Sequence, residues 1–464
     1  MIIKSREFLN ADGSVPDKLL HVCIVEHGKQ IARLKKLFDY YDGQHEINNR
    51  TMTEGLPNNK LVCNHAQYIS DMATGYVFGV PVQYGGDETQ VEELNDHYTD
   101  IDEDSHNNEL GLDMSIYGHA LEIIYMGTEE SPRESIACYS PLNSFLVCDD
   151  TVENVPMFAV TYYQKRDIDG KAQGYDVTVI TDKHQYDYTA NDLSAETFAL
   201  EGKPIEHYFG GVPVIEYKNN KFAKGDFETV LTLIDAYNVL QSDRINDKQQ
   251  LVDAILAVYG MSFGDTEEEM TKTAKFLRDQ KILEIPGEGA KAEWLIKNLS
   301  ESEVEVLKKS LKDDIHEFSK VPCLTDENFV GNASGVAMKY KLLGLEQLGK
   351  TKERYFKQGL RKRLQLTSNV LSIKAKQLDV SKIDITMKRS LPVDDELLAK
   401  IAQETDGLIS WETRVKNYNP ELDVNEERKR LLEEKKEAAK IQQEAFGSYG
   451  FGGEDKEENK DGKD

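Results

Sequence analysis

The sequence predicts an α+β fold that is mainly helical, with an antiparallel β region confined to residues 119–218. Three observations predict it. Apolar residues recur at three- and four-residue spacing in long segments on both sides of that region. Within it the period shortens to two, in β-branched and aromatic runs broken by turn residues. At 464 residues the chain exceeds one ordinary core, so two or more domains are expected.

Residues 17–42 form a charged amphipathic helix with Ile24, Ile31, Leu34, Leu37 and Phe38 on its apolar side. Asp42-Gly43 is a turn signal. A second helix runs from Asn64 to Gly79, and residues 90–117 continue as an acidic helix or pair of helices. Strand-like runs follow from His119, with a turn at Ile168-Asp-Gly170, until Asn219-Asn220 ends the β region. The chain is then helical from Phe227 to Val258. Its middle, Gln241 to Gln250, is polar on nearly all faces, and such a helix needs neighbours on several sides.

A small α/β unit interrupts the helices between 259 and 299. It holds a helix over Glu267–Gln280, the apolar runs Lys281 to Ile285 and Ala292 to Ile296, and the turn Pro286-Gly-Glu-Gly289. The helix resumes after Ser300, whose spacing to Glu303 suits a capping box. Val304, Leu307, Leu311, Ile315 and Phe318 continue it at helical spacing until Pro322. A polar loop, Cys323 to Ala333, leads to a long helix over 334–366. That helix carries Gly344, Gly349 and Gly359 as possible kinks. It holds nine basic residues against two acidic ones. Residues 378–392 return as a strand. Helices follow at Asp394–Thr405, Ser410–Asn417 and Asn425–Phe446, and the Gly-rich charged tail 447–464 has the composition of a disordered segment.

The net charge of −27 argues against a simple nucleic-acid binder, which carries a basic footprint. Its distribution is more telling. No Lys or Arg lies between Lys60 and Arg133, an interval with fifteen acids. A solvated acidic outer face is the plain account. The functional one is an acidic lining along which DNA slides without sticking. The concentrated basic set is Lys339, Lys341, Lys350, Lys352, Arg354, Lys357, Arg361, Lys362 and Arg363. It fits pairing with acids of a neighbouring subunit as well as it fits DNA. The stripe Met338, Leu342, Leu345, Leu348, Phe356, Leu360 and Leu364 reads as core packing.

Five scattered cysteines form no CxxC pair, as expected of reduced thiols in a cytoplasm. The mean hydropathy of −0.56 is polar for a folded chain of this size; on composition alone it fits a plain acidic cytosolic protein better than a chain that completes its core against other subunits. No apolar run approaches the ~20 residues of a membrane span, and the N-terminus has no apolar h-region, so no membrane is expected. Walker A, HExxH, GxSxG, EF-hand and zinc-finger spacings are all missing. Gly287-Glu-Gly289 is a lone turn, and Asp100 to Asp104 reads as a solvated acidic turn. Asn332-Ala-Ser334 matches a glycosylation sequon but better suits a helix cap. No catalytic residue, metal site or cofactor is assigned.

The order of parts resembles the portal (head-to-tail connector) proteins of tailed bacteriophages, especially the long-tailed siphophage type of Gram-positive hosts. The resemblance rests on Tyr40-Tyr-Asp-Gly-Gln-His-Glu-Ile47, Asn59-Lys-Leu-Val-Cys-Asn64, Tyr68-Ile69 and Gly75-Tyr-Val-Phe-Gly-Val-Pro81. It continues through Val212-Pro-Val-Ile-Glu-Tyr-Lys-Asn-Asn220, Leu233-Ile-Asp-Ala-Tyr-Asn238, Ser242-Asp243, Gly331-Asn-Ala-Ser-Gly335 and Gly407-Leu-Ile-Ser-Trp-Glu-Thr413. Each is weak alone; in order they span residues 30–440.

The resemblance implies a non-enzymatic ring, usually of twelve subunits, around a central channel for double-stranded DNA at one capsid vertex. It implies a wing (1–226), stem helices (227–258 and 300–322), a clip (259–299), a tunnel loop (323–333) and a kinked tunnel helix (334–366). A strand returning to the wing (367–392), crown helices (393–446) and a tail (447–464) complete the mapping. Thr325, Asp326, Glu327, Asn328 and Phe329 would face DNA, with Lys339, Lys341, Lys350, Lys352 and Arg354 behind them. Glu284, Pro286, Glu288 and Lys291 would dock the motor and connector. Implied partners are further copies of the chain, the terminase large subunit, a head-completion or adaptor protein, and the major capsid and scaffolding proteins. The implied location is the virion, with assembly in the host cytoplasm. A channel-free structural scaffold and an acidic metal-dependent nucleic-acid enzyme are the alternatives.

Overall fold

The computed structural model describes residues 2–54, 56–127, 134–252, 255–259, 266–280, 291–295, 301–324, 340–373, 378–390, 400–401, 403–405, 407–418 and 424–447. The chain divides into two compact units, Met1–Ser390 and Leu391–Asp464.

Four helices open the first unit. Helix α1, Asp17–Tyr41, starts after Pro16 and buries Leu20, Cys23, Ile24, His27, Leu34, Leu37 and Tyr40. These recur at three to four residues, so one face of the helix meets the core. Gly43, at φ +84°, follows the helix end, a conformation that costs glycine little. Helix α2, His65–Phe78, is capped by the Asn64 carbonyl, which accepts from Gln67 N at 3.1 Å. The acidic stretch resolves into two helices, α3 (Glu88–Asp100) and α4 (Glu103–Tyr117). Gly118, at φ +87°, ends α4 and turns the chain into the first long strand.

The β region is antiparallel, as the period-two pattern predicts. A three-stranded sheet has the order β11-β3-β4, with β3 His119–Met126, β4 Glu134–Tyr139 and β11 Val214–Lys218. A larger sheet runs through β5 (Ser144–Cys148), β6 (Pro156–Arg166), β7 (Ala172–Ile180), β8 (His184–Ala190) and β10 (Ile205–Glu206), with β9 (Ala199–Leu200) also on β8. The two-residue strand β1, Ile2–Ile3, adds to its β5 edge in parallel, a pairing that no local pattern predicts. The β6–β7 turn contains Gly170 at φ +78°, whose N–H donates to Asp167 O at 2.9 Å.

Two departures from the sequence reading concern the segments after the sheet. Helix α5 covers Leu231–Val252 and stops short of Val258. Ile255–Tyr259 is instead a strand, β12, antiparallel to β13, Lys291–Leu295. Its run Ile-Leu-Ala-Val-Tyr is apolar without helical spacing, and its β-branched and aromatic residues favour a strand once a partner is present. Helix α6 occupies Glu267–Gln280, the span read from the sequence.

Helix α7, Glu301–Ser319, packs on α5. Arg244 and Lys248 of α5 meet Glu301 and Glu305 of α7 at 2.9–3.0 Å. Helix α8 covers Leu343–Ile373, past the end expected at 366 and into the segment expected to return as a strand. A short strand β2, Gln83–Gly85, pairs with β14, Asp384–Thr386, far narrower than the strand expected over 378–392. In the second unit α9, Trp411–Tyr418, and α10, Val424–Gly447, are joined by Arg428 and Glu412 at 2.9 Å.

The main core gathers α1, α2, α4, α8, β3 and β11 around Tyr40, Phe78, Leu110, Tyr217, Phe356 and Leu360. The glycines of α8 serve this core. A side chain at Gly359 would collide with the Tyr217 ring, so the helix passes closer to β11 than any other residue permits. Gly359, read from the sequence as a place for a kink, also meets a packing requirement.

Candidate functional site

The polar segment singled out by the sequence, with Thr325, Asp326, Glu327, Asn328, Phe329 and Lys339, lies outside the described residues, as do Glu284, Pro286 and Glu288. Lys291 stands at the start of β13, opposite Tyr259. What the structure does describe is how both flanks of 325–339 are fixed.

On the N-terminal flank, Lys320 adopts φ +63° and reverses the chain after α7. His316, buried in the last turn of α7, places Nδ1 2.8 Å from Val321 O. The Tyr68 hydroxyl donates to Pro322 O at 3.3 Å and accepts from Leu324 N at 2.9 Å. The ring edges of His65 and Tyr68 meet the His316 ring at 5.4 and 5.5 Å. On the other flank, Leu342 and Leu345 are buried in the main core. Helix α2 meets both flanks, through Tyr68 on the first and through the Tyr76 hydroxyl, which donates to Glu346 at 2.6 Å, on the second.

This root is expected to weaken in acid. Burial pushes His65 down to about 4, and the nearby charges of His316 and Lys312 act in the same direction. The ordinary value is about 6.5. Between those values the unfolded chain takes a proton that the folded chain refuses, so stability rises with pH across that window. The contribution is full above about 6.5, falls as pH drops, and is gone below about 4. The limiting size is about 3 kcal/mol for a shift of this size, and water reaching the ring lowers it. Denaturant titrations of the wild type and His65→Phe at pH 7 and pH 5 check this. The wild type loses more stability on acidification than the variant; equal losses would remove His65 from the account.

Helix α8 emerges from this root, and its basic residues separate into two groups. Lys350, Arg354, Arg361 and Lys362 are exposed, as is Lys341 just before the helix, and Lys357 is half-buried beside Glu353. Lys352 and Arg363 are buried, against the expectation that the basic set offers its charge outward. Lys352 Nζ pairs with Asp226 at 2.6 Å, both side chains almost fully enclosed. Asp226 also accepts from Ser115 Oγ at 2.6 Å and Asn219 Nδ2 at 2.8 Å. Helical geometry explains the split: Lys352, Phe356, Leu360 and Arg363 recur at three to four residues on the face that packs inward. Among the outward residues, Lys350 approaches Glu346 at 3.6 Å. Glu346 and Glu353 both bind Arg389, at 3.1 and 2.7 Å.

Arg363 is the centre of a buried polar cluster. Its guanidinium reaches Glu103 at 2.7 Å, Asn107 at 2.9 Å and Glu122 at 2.6 Å, and lies over the Tyr217 ring. The Tyr217 hydroxyl donates to Glu122 at 2.6 Å, Tyr84 to Glu103 at 2.7 Å, and His106 Nε2 faces Glu122 at 2.8 Å. Burial alone would raise the Glu122 carboxyl. Arg363 and His106 outweigh it and hold Glu122 at about 2. Two of the fifteen acids in the Lys-free interval are therefore structural counter-ions, not an outer face. Nothing local in the sequence marks them, because their partner lies some 240–260 residues away.

A family model described as "Phage portal protein, SPP1 Gp6-like" matches residues 20–440. The chain belongs to that family. Among the relatives of this portal protein is the portal protein of Clostridium phage phiCD119, 25% identical over 398 residues, covering 82% of this chain and 86% of that one. Another is the portal protein of Bacillus phage SPP1, 26% identical over 494 residues and covering 96% and 95% of the two chains. Among solved structures, a chain from "Neck of native GTA particle computed with C12 symmetry" aligns at a TM-score of 0.41 with 12% identity, over 76% of this chain and 89% of that one.

The protein is thus a bacteriophage portal protein, a structural component of the virion and not an enzyme. The nucleic-acid enzyme entertained from the acidic composition is set aside. Among the described residues, no helix of this portal protein is long and apolar enough to cross a membrane.

Proposed function

We propose that this portal protein assembles as a ring of twelve subunits around a channel at a single capsid vertex, through which double-stranded DNA is packaged and later ejected. The family match across residues 20–440 carries this reading. The surface of the α5–α7 pair supports it. Val306, Leu307 and Phe318 of α7 are 70, 50 and 60% exposed, and Val239 and Ile245 of α5 are 40 and 37% exposed. Apolar side chains left open on both members of a helical pair are accounted for by neighbouring copies.

In this reading residues 1–226 with part of 367–392 form the wing, 227–258 and 300–322 the stem that holds α5 and α7, and 259–299 the clip. Residues 323–333 form the tunnel loop, 334–366 the tunnel helix and 393–446 the crown. Thr325 to Phe329 face DNA. The loop carries acids and no base, which suits sliding contact, since many Lys–phosphate contacts would hold the duplex in place. The exposed bases Lys350 and Arg354 of α8, and Lys341 just before it, stand behind the loop, with Lys339 between them and it. The clip, through Glu284, Pro286, Glu288 and Lys291, receives the terminase large subunit and then a head-completion or adaptor protein. Major capsid and scaffolding proteins surround the wing while the ring is built in the host cytoplasm.

Negative-stain electron microscopy of the purified protein tests the assembly: rings with a central hole are expected, and monomers or hole-free particles would sink it. Deleting Thr325 to Asn328 is expected to leave the rings intact and to impair DNA packaging in an infection complementation assay. Normal packaging by that variant would refute the loop's role while leaving the ring untouched.

A further inference from the structure

A cluster on the outer side of the Arg363 site has the composition of a metal centre. His106 and Glu109 stand three residues apart on one face of α4, and Cys138 lies on β4 beside them. The His106 ring nitrogen, the Cys138 sulfur and a Glu109 carboxylate oxygen all lie within 4.8 Å of one another. We propose that His106, Glu109 and Cys138 bind a zinc ion that ties helix α4 to strand β4.

Four observations support the assignment. The first is spacing. Zn–S and Zn–N bonds of about 2.3 and 2.0 Å at tetrahedral angles place the two donor atoms about 3.5 Å apart. His106 Nδ1 and Cys138 Sγ are 3.6 Å apart. The second is tautomer. The Glu122 carboxylate lies 2.8 Å from His106 Nε2 and can accept the proton carried there, which leaves Nδ1, the nitrogen on the cysteine side, as the metal donor in the Nε2–H tautomer. A carboxylate bonded to the far nitrogen of a ligating imidazole is the usual support of a zinc-bound histidine. The third is donor chemistry. Thiolate, imidazole and carboxylate together favour zinc over magnesium or calcium, which take all-oxygen sets. The fourth is freedom to close. Glu109 is exposed, so its carboxylate can swing the remaining distance, while His106 is buried and fixed.

Asp113, one turn beyond Glu109 on α4, lies close enough to the same thiol to act on it electrostatically. It can fill the fourth position, or water can. Binding displaces the Cys138 thiol proton to solvent, leaving a thiolate on the metal. No sequence spacing announces the site, because Cys138 comes 32 residues after His106 and on a different element.

The test is metal binding by the full-length protein. After treatment with chelator and dialysis, zinc uptake is measured by elemental analysis, and cobalt(II) substitution is followed through its sulfur-to-metal charge-transfer absorption. One zinc per chain and a thiolate–cobalt band are expected. Cys138→Ser should abolish the band, while Cys63→Ser and Cys323→Ser retain it. Glu109→Gln, an exposed change that leaves the fold alone, should weaken zinc binding by at least about tenfold. Folded wild type that takes up neither metal overturns the proposal. So does a cobalt band that survives in Cys138→Ser, or unchanged affinity in Glu109→Gln.

Discussion

Replacing Arg363 with alanine is expected to destabilise the protein by about 3–5 kcal/mol, the usual result of removing one partner from a buried ion pair. For a domain of ordinary stability this is a large fraction of the total. The reason is geometric. Arg363 and Glu122 are fully enclosed, and Glu103 nearly so. Without the guanidinium, Glu122 keeps the Tyr217 hydroxyl and His106 but loses the charge that holds its carboxyl at about 2. Truncation also leaves a cavity beside Tyr217 and removes the only charged residue on the buried face of α8 between Leu360 and Leu364. Chemical denaturation at one fixed protein concentration measures the effect, since assembly makes apparent stability depend on concentration. The companion variant Arg363→Met with Glu122→Gln removes two of the three charges, leaves Glu103 with the Tyr84 hydroxyl, and keeps much of the volume. It is expected to recover part of the loss, because apolar or neutral replacements of buried ion pairs are often tolerated. Wild-type stability in Arg363→Ala, within about 0.5 kcal/mol, would show that the cluster does not hold the core.

Much of this fold is legible in the sequence because its signals are local. Asn64 before the second helix, the Asp42-Gly43 turn, the apolar period of α1 and α7, and the strand runs from His119 each act within a few residues. The failures are equally specific. The Ile255–Tyr259 run continues an apolar pattern out of α5, and only pairing with Lys291–Leu295 makes it a strand. Gly359 reads as a weak point in a helix until Tyr217, 142 positions earlier, is found against it. The acids of α4 and β3 count as surface charge until Arg363 is placed among them. His106 and Cys138 match no metal spacing, because a helix and a strand bring them together. At the candidate site, the exposed bases of α8 were legible as a set. Lys352 and Arg363 fall in phase with the apolar stripe, but their counter-ions Asp226, Glu103 and Glu122 lie more than a hundred residues away, so nothing local marks the two as inward.

That distinction makes the Lys352–Asp226 pair the sharpest test of how the basic helix works. Lys352→Met is expected to cost about 3 kcal/mol, the low end for breaking a buried pair, because Asp226 keeps Ser115 and Asn219 as hydrogen-bond donors. Asp226→Asn strands an enclosed ammonium and should cost a similar amount. In the double variant neither charge remains, so its loss should fall short of the summed single losses by at least about 1 kcal/mol, a coupling within the range for contacting residues. Additive losses would refute the pairing. Arg354→Ala, exposed on the same helix, is expected to change stability by less than about 0.5 kcal/mol. Its effect, if the channel reading holds, falls on DNA passage instead. A packaging defect in Lys352→Met should therefore follow the loss of folded protein and be recovered in the double variant to the extent that stability is. A defect in Arg354→Ala should appear in fully assembled particles. If Lys352→Met instead packages poorly at full stability, its charge acts outside the protomer and the division of α8 into a structural and an outward face is wrong.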